Sequence, residues 1–223
     1  MLNVLTTSSS AAVSEPIIAD RRLRKLSFTG STGVGRRLLV QAAQNVLRTS
    51  MELGANAPFI VFGDADLDKA VDGAMAAKFR NIGQACTAAN RFIVHRSIAD
   101  DFARRLTDRV AAMPVGRGTE SGATIGPFID ARAVDTVDSL VQDALARGAT
   151  LRTGGRRVPR AGSFYEPTVI GGVVPGSAIL NAGVISNAAA PCGGVKQSGL
   201  SREGGAEGIH EYLSTKYTML PVG

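Results

Sequence analysis

The sequence predicts an α/β protein with a parallel sheet, on three observations. Runs typical of strands alternate with runs typical of helices, a pattern that favours parallel strands joined by helices. Glycine is abundant, with 26 residues, whereas aromatic residues make up 5% and tryptophan is absent, which disfavours an all-β sandwich. The hydrophobic fraction of 44% and the charged fraction of 20% are close to globular averages, and 223 residues are enough to bury a core.

The first half of the chain contains two predicted strand–helix units. Residues 22–28 predict a strand, a glycine-rich turn follows, and a helix begins at Arg36. Residues 57–62 form an apolar run that predicts a buried strand. A second helix is expected to open at residues 64–67, with acidic residues in its first turn, where the helix dipole favours them. Lys78 falls on the same face of this helix as its apolar residues.

In the second half of the chain the predicted helices have recognisable cap residues. Ser97 is expected to cap a helix that runs to about Met113. Asp130 is expected to cap another helix, which Gly148 ends. The other predicted elements are a strand at 91–95, short strands and turns at 150–179, and a short helix near 203–212.

The charge distribution favours an ordinary solvated surface. Lysine and arginine number 25 against 19 acidic residues, for a net charge of +6, and they cluster only briefly, at 21–25 and 156–160. A basic nucleic-acid binder stays open as an alternative; it would bind in a salt-dependent way, but the chain offers no row of aromatic residues for stacking bases. We expect no nucleic-acid partner.

Neither a membrane segment nor a metal site is expected. No stretch approaches the 18 apolar residues of a transmembrane helix, and the first 16 residues lack the basic region of a secretory signal. The sequence therefore predicts a cytoplasmic protein with no membrane partner. Cys86 and Cys192 lie far apart and histidine occurs twice, which fits neither a disulfide framework nor a metal site.

Two single residues have candidate chemistry, each with an ordinary alternative. Cys86 follows a glycine by three residues and Arg80 by six, so it is a candidate nucleophile with a cation near it in sequence. A lone cysteine is otherwise a small buried apolar residue. Glu52, at the edge of a predicted strand, suits a general base if burial raises its pKa, or is a surface or capping residue.

The glycine-rich turn between the first strand and its helix is a candidate anion site. Glycines allow close approach to a phosphate, and a helix N-terminus offers N–H donors. The stretch Gly30–Gly35 nevertheless matches neither the G-x-G-x-x-G pattern nor a P-loop. Taken alone, it equally fits a purely structural turn.

In combination and in this order, these motifs resemble the aldehyde dehydrogenase family. Residues 28–35 (Phe-Thr-Gly-Ser-Thr-Gly-Val-Gly) are followed by 51–54 (Met-Glu-Leu-Gly) and by 83–86 (Gly-Gln-Ala-Cys). Later segments agree, at 164–168 (Phe-Tyr-Glu-Pro-Thr) and 193–199 (Gly-Gly-Val-Lys-Gln-Ser-Gly). Residues 79–84, Asn187 and the 194–200 segment are similar to the succinate-semialdehyde dehydrogenase branch.

The resemblance implies the reacting groups. Cys86 matches the nucleophile, whose thiolate attacks the aldehyde carbon, and its backbone N–H matches one half of the oxyanion hole. Glu52 matches the general base that activates water to hydrolyse the resulting thioester. The implied reaction is the NAD(P)-dependent oxidation of an aldehyde, for this branch succinate semialdehyde to succinate.

The resemblance also implies the binding residues. Gly30, Ser31, Thr32, Gly35 and Leu53 match positions that bind the dinucleotide, which is NAD or NADP. Arg80 and Ser186 match the positions that hold the distal carboxylate of the substrate.

The implied fold is the three-layer aldehyde dehydrogenase-like fold, but incomplete. It contains the end of the dinucleotide-binding Rossmann domain (1–53) and most of the catalytic domain (54–213). The start of an oligomerisation strand (214–223) follows, through which a homo-oligomer could form. The resemblance implies that the segments family members carry ahead of residue 1 are lacking. After Leu180 the chain runs directly into Asn181, which indicates an internal deletion.

Two functions therefore remain open. The chain is either an NAD(P)-dependent aldehyde dehydrogenase or a non-catalytic remnant or interaction module of that family. By the resemblance, the lacking early segment carries the side chain that forms the other half of the oxyanion hole. Loss of a single oxyanion donor raises a reaction barrier by about 3 kcal/mol. We therefore expect the chain alone to have little or no dehydrogenase activity.

Overall fold

A computed structural model describes residues 2–173 and 192–214 of the chain. These residues divide into two compact units. The first contains residues 2–55 and 192–214, and the second contains residues 56–173. The sequence interpretation assigns 54–213 to one catalytic domain; in space, the residues from 192 group with the first unit.

The elements alternate between helix and strand through most of the chain. The α-helices are α1 (Ser10–Ala19), α2 (Thr32–Ala43), α3 (Leu67–Phe79), α4 (Ala99–Ala111), α5 (Ala131–Ala146) and α6 (Gly205–His210). The strands are β1 (Lys25–Gly30), β2 (Arg48–Leu53), β3 (Ala57–Val61), β4 (Ala89–Val94), β5 (Thr150–Thr153), β6 (Val169–Gly171) and β7 (Gly199–Leu200).

The first unit is built on a three-stranded sheet in the order β1–β2–β7. β1 and β2 are parallel, and β7 is antiparallel to β2. β2 lies in the centre and is the most buried strand, with Ser50, Met51 and Leu53 all buried. The β1–α2–β2 crossover is the parallel unit that the alternation predicts, whereas β7 makes the sheet mixed.

The second unit is built on the parallel pair β3–β4, which packs against α3 and α4. Its buried cluster contains Val61 from β3, Val71 and Ala74 from α3, and Phe102 and Val110 from α4. The apolar side chains of α4 follow a helical spacing, so one face of the helix covers the sheet. This packing holds α3 and α4 against the sheet.

A smaller cluster in the second unit holds α5 against the segment that precedes β6. Val134 and Val141 of α5 are buried with Tyr165, whose hydroxyl donates to Asp138 at 2.9 Å. Asp130 caps α5 as predicted, since its side chain accepts from the backbone N–H of Ala133 at 2.8 Å. β5 and β6 form an antiparallel pair beside it.

Two predicted helix starts are wrong. α2 begins at Thr32, inside the glycine-rich stretch, because the side chain of Ser31 accepts from the backbone N–H of Val34 and caps the helix there. Ser97 does not cap α4; its hydroxyl lies 2.8 Å from Nδ1 of His95, and Ile98 takes the cap position without a side-chain hydrogen bond.

The strand predicted at 57–62 is present as β3, but the prediction that it is buried is wrong. β3 alternates, with Phe59 and Val61 facing the helices and Ile60 facing outwards, and Phe62, the residue after the strand, is exposed as well. Ile60 and Phe62 are 57% and 69% exposed, and Ile93 on β4 is 53% exposed. Among the described residues, this sheet therefore has one packed face and one open apolar face.

Helix α1 was not predicted from the sequence. It contains Pro16 and has no side-chain cap at its start. It is held by contact with α2: Ile18 is buried, and the Asn45 side chain donates to the carbonyls of Ile18 and Ala19 at 3.1 Å. Among the described residues, no helix is long and apolar enough to cross a membrane.

Phe102 is expected to be the costliest single truncation in the second unit. Phe102 is 2% exposed in the α3–α4 cluster, so Phe102→Ala should lower the free energy of unfolding by about 3–5 kcal/mol. Phe62→Ala is the matched control, because its ring is exposed and its loss should cost less than about 0.5 kcal/mol. Urea unfolding followed by circular dichroism measures both, and equal losses would contradict the described packing.

Candidate active site

Glu52 lies near the C-terminal end of the central strand of the first unit. It stands opposite Thr29 of β1 on one side and Gly199 of β7 on the other. Gly199 has a φ of 150°, and a Cβ at this position would collide with the carbonyl oxygen of Met51. A side chain is thus excluded where β7 approaches β2, and Glu52 is held by a strand paired on both sides.

The surroundings of Glu52 favour its protonated form. Burial raises the pKa of the Glu52 carboxyl, the negative charge of Glu203 raises it further, and the positive charge of Arg202 partly opposes this. Glu52 Oε1 is buried, and no group of the described residues donates a hydrogen bond to it. A carboxylate with a raised pKa is suited to take up a proton near neutrality.

The predicted cofactor residues surround the start of α2. The hydroxyl of Thr32 donates to the carbonyl of Gln197 at 3.2 Å, so it ties α2 to the segment that leads into β7. Gly35 is buried where the side chain of Leu53 packs against α2, and a Cβ there would collide with that side chain. Ser31 and Gly33 are exposed at the first turn, so the N-terminal end of the helix is open to solvent.

Cys86 and Arg80 lie in the second unit, on the segment between α3 and β4. Arg80 is the residue after α3, and Cys86 is exposed three residues before β4 begins at Ala89. Arg80 is exposed, and in the described part of the chain no ion pair involves it. Its guanidinium is therefore available to an anionic ligand.

The structure groups the predicted site residues into two sets. Glu52 and Leu53 end the strand that pairs with β1, and the Gly30–Gly35 stretch continues from the same end of β1. Arg80 and Cys86 share one segment of the second unit. Ser186, the second predicted carboxylate-binding residue, lies outside the described residues.

Two features near these residues were missed as functional candidates by the sequence reasoning. Arg202 and Glu203 act on the charge of Glu52, although they lie far from it in the sequence. The pairing of β7 with β2 brings them there. The second feature is Lys78, for which the sequence did contain a signal. A lysine on the apolar face of a helix is costly to bury unless it finds a polar partner.

The profile of the aldehyde dehydrogenase family matches this chain over residues 1–185 and again over 175–218. The chain belongs to the aldehyde dehydrogenase family. The resemblance predicted from the motifs is thereby confirmed.

Individual relatives agree with this assignment. Succinate-semialdehyde dehydrogenase of Paenarthrobacter nicotinovorans is 46% identical, over 97% of this chain and 61% of the relative. The NADP(+) succinate-semialdehyde dehydrogenase GabD of Escherichia coli K12 is 39% identical, over 96% of this chain and 56% of the relative. The crystal structure of an NADP-dependent enzyme of E. coli superposes with a TM-score of 0.90 at 38% identity, over 96% of this chain and 56% of that one. The predicted aldehyde dehydrogenase-like fold is confirmed by this superposition.

The chain spans little more than half the length of these relatives. The alignment with the Paenarthrobacter enzyme extends over 274 positions, more than the 223 residues of the chain. The relative therefore has residues inside the aligned span that this chain lacks. The two stretches matched by the family profile meet at 175–185, where the sequence predicts the internal deletion.

The raised pKa of Glu52 predicts that Glu52→Gln stabilises the chain at neutral pH. A carboxyl whose pKa is higher folded than unfolded makes the folded state bind more protons, so stability falls as pH rises above the ordinary value of 4.5. Glutamine cannot ionise and escapes this loss. Urea unfolding across a pH series should show the two proteins diverging as pH rises, with Glu52→Gln the more stable. Curves that stay parallel at every pH would contradict the prediction.

Proposed function

We propose that this chain carries the nucleophile and the general base of an NAD(P)-dependent oxidation of an aldehyde that bears a distal carboxylate. The observation that carries the proposal is that one segment contains both the exposed thiol of Cys86 and the exposed guanidinium of Arg80. Among the described residues, no carboxylate forms an ion pair with Arg80. Succinate semialdehyde, oxidised to succinate, is the proposed substrate, in keeping with the activity named for the Paenarthrobacter and E. coli relatives.

Cys86 is proposed to form the covalent bond to the substrate. Its thiolate adds to the aldehyde carbon and gives a thiohemiacetal, whose oxygen the backbone N–H of Cys86 would stabilise. A nicotinamide dinucleotide, when bound, supplies the hydride acceptor that the oxidation requires. The oxidised intermediate is then a thioester on Cys86.

Glu52 is proposed to act in the hydrolysis of that thioester. Its carboxylate takes a proton from water, the oxygen of that water attacks the thioester carbon, and the C–S bond breaks to release the carboxylate product and the Cys86 thiol. A base is most effective when its pKa lies near the working pH. The burial and the neighbouring Glu203 charge that raise the pKa of Glu52 move it in that direction.

The start of α2 fits the diphosphate of a dinucleotide. Ser31 and Gly33 are exposed there, so backbone N–H groups and the positive end of the helix dipole face solvent. Gly30, Ser31, Thr32 and Gly35 would hold NAD or NADP through this turn. Leu53 would contribute through its backbone, because its side chain is buried against Gly35.

Arg80 is proposed to select the substrate. A guanidinium forms bidentate hydrogen bonds with a carboxylate, so it favours an aldehyde with an anionic end over an apolar one of similar length. Ser186 is proposed as its second contact. The tail 214–223 is proposed to join another subunit.

The oxidation should depend on Cys86. With succinate semialdehyde and NAD or NADP, the absorbance of the reduced cofactor should rise slowly if at all with the chain alone, and any rise should disappear in Cys86→Ala. A thermal melt with and without NADP shows separately whether the cofactor stabilises the folded chain. A rise that persists in Cys86→Ala would exclude the proposed nucleophile. A chain that shows neither turnover nor stabilisation by NAD or NADP would favour the non-catalytic alternative.

The role of Arg80 can be tested without cofactor, by protection of the thiol. In a Cys192→Ser background, succinate semialdehyde should slow the alkylation of Cys86 by iodoacetamide at lower concentration than butanal does. Arg80→Leu should remove this preference, a change of about tenfold or more in the protecting concentration, because a charged hydrogen bond is lost. Arg91→Leu is the matched control, an exposed arginine in the same unit whose guanidinium bonds the carbonyl of Asn56. Equal protection by both aldehydes in the unsubstituted protein would contradict carboxylate selection.

A further inference from the structure

A half-buried hydrogen bond closes the base of the segment that carries Cys86. Lys78, in the last turn of α3, donates from Nζ to Oδ1 of Asn90, the second residue of β4, at 3.0 Å. The two residues flank 79–89, so their bond joins the two ends of the Cys86 segment. The Lys78 side chain is half-buried, and this burial lowers the pKa of its amine to about 8.

Between these ends, three hydrogen bonds join the segment to itself. The backbone N–H of Gln84 donates to the carbonyl of Asn81 at 3.0 Å, and the side chain of Asn81 donates back to the carbonyl of Gln84 at 3.2 Å. The backbone N–H of Ala88 donates to the carbonyl of Ala85 at 3.1 Å. None of these bonds connects the segment to α3, to β4 or to another element.

The segment also contains strained backbone. Asn81, Ile82 and Gly83 follow one another in the left-handed region, with φ values of 53°, 51° and 78°. This region is unfavourable for a β-branched residue such as Ile82. Such a conformation persists only where the surrounding structure holds it, and strain of this kind concentrates at functional sites.

We propose that Lys78 is a positioning residue for Cys86. Its hydrogen bond to Asn90 fixes the distance between the two ends of residues 79–89, and with them the left-handed turn and the exposed placement of the thiol. The proposal rests on the proposed role of Cys86 as nucleophile.

The position of Lys78 supports this role over simple packing. It follows Val71 and Ala74 along the face of α3 that packs on the core, where an apolar side chain would normally lie. Burying an amine is costly unless it makes a hydrogen bond, and the bond to Asn90 offsets part of that cost. An apolar residue would fill the same space without joining the ends of the segment.

The experiment measures the alkylation rate of Cys86 by iodoacetamide in a Cys192→Ser background, with no aldehyde or cofactor present. Lys78→Met keeps the length of the side chain and removes the donor. Because the thiol is already exposed, a relaxed segment should turn it away from solvent part of the time. We expect the rate to fall about threefold or more, the effect of losing one hydrogen bond. Hydrogen exchange in a peptide covering 79–89 should become faster.

Lys69→Met is the matched control. Lys69 lies on the same helix, its side chain is 87% exposed, and its substitution should leave both the alkylation rate and the exchange unchanged. If Lys69→Met slows alkylation as much as Lys78→Met does, or if Lys78→Met leaves the alkylation rate unchanged, the proposal is overturned. Faster exchange spread over the whole second unit, with no larger change in 79–89, would indicate a merely structural role and would also overturn it.

A double-mutant cycle assigns the effect to the bond between the two residues. Asn90→Leu removes the acceptor and should slow alkylation like Lys78→Met, and the double variant should be no slower than the slower single variant. Additive effects would overturn the proposal. Asn90→Asp keeps an acceptor for Lys78 and should retain the original rate, which provides a readout even if Asn90→Leu does not fold. Because no step requires turnover, a failure here is distinct from a failure of the proposed oxidation.

Discussion

The central position of β2 is the constraint on which the first unit depends. Its backbone is hydrogen-bonded to β1 on one side and to β7 on the other, so Glu52 cannot shift along the sheet without breaking both pairings. The same pairings place the glycine-rich stretch after β1 beside the end of β2, and Glu203 and Arg202 close enough to act on Glu52. The charge of the candidate base thus depends on its burial and on two residues from the far end of the unit's sequence.

The second unit positions its candidate groups by a different means. Cys86 and Arg80 lie on a connection and not on a strand, so their placement depends on how firmly α3 and β4 are held. The buried cluster around Phe102 fixes both elements, and ion pairs such as Arg109 with Asp72 add exposed links between α3 and α4. Exposed pairs contribute little free energy, so the apolar core holds α3 and α4 together more than these pairs do, and the Lys78–Asn90 bond joins α3 to β4 at the segment itself.

The sequence predicted those parts of the structure that depend on local signals. Asp130 caps α5 because a carboxylate at that position accepts backbone N–H groups, a local interaction that any context allows. Ser97 carried the same signal and failed, because the neighbouring His95 took its hydroxyl. Helix α1 could not be foreseen, since it is held by Asn45 and by burial of Ile18, both of which require the folded unit.

The candidate site likewise combines residues that local motifs identify with contacts that only the folded chain creates. Cys86, Glu52 and Arg80 could be selected from motifs, because their spacing along the chain carries the information. The effect of Glu203 on Glu52 and the bond between Lys78 and Asn90 come from residues that strand pairing and helix packing bring together. The open face of β3 and β4 was hidden for another reason: the apolar run at 57–62 alternates in space, and an apolar side chain on the outer face has the same sequence signal as one in the core.

The open face of the β3–β4 pair and the internal deletion both concern how the second unit is covered. Parallel sheets are usually covered on both faces, yet Ile60, Phe62 and Ile93 are exposed on one face of the β3–β4 pair. The relatives carry extra residues within the aligned span, and the profile match breaks at 175–185, at the C-terminal end of this unit in the sequence.

The strand that holds Glu52 and the segment that holds Cys86 are each stabilised within their own unit, by strand pairing and by core packing. The rate of a two-group reaction depends further on how closely those groups are brought together and shielded from water. The low turnover expected of the chain alone is consequently compatible with an intact geometry around each candidate group, because turnover and local geometry depend on different parts of the structure.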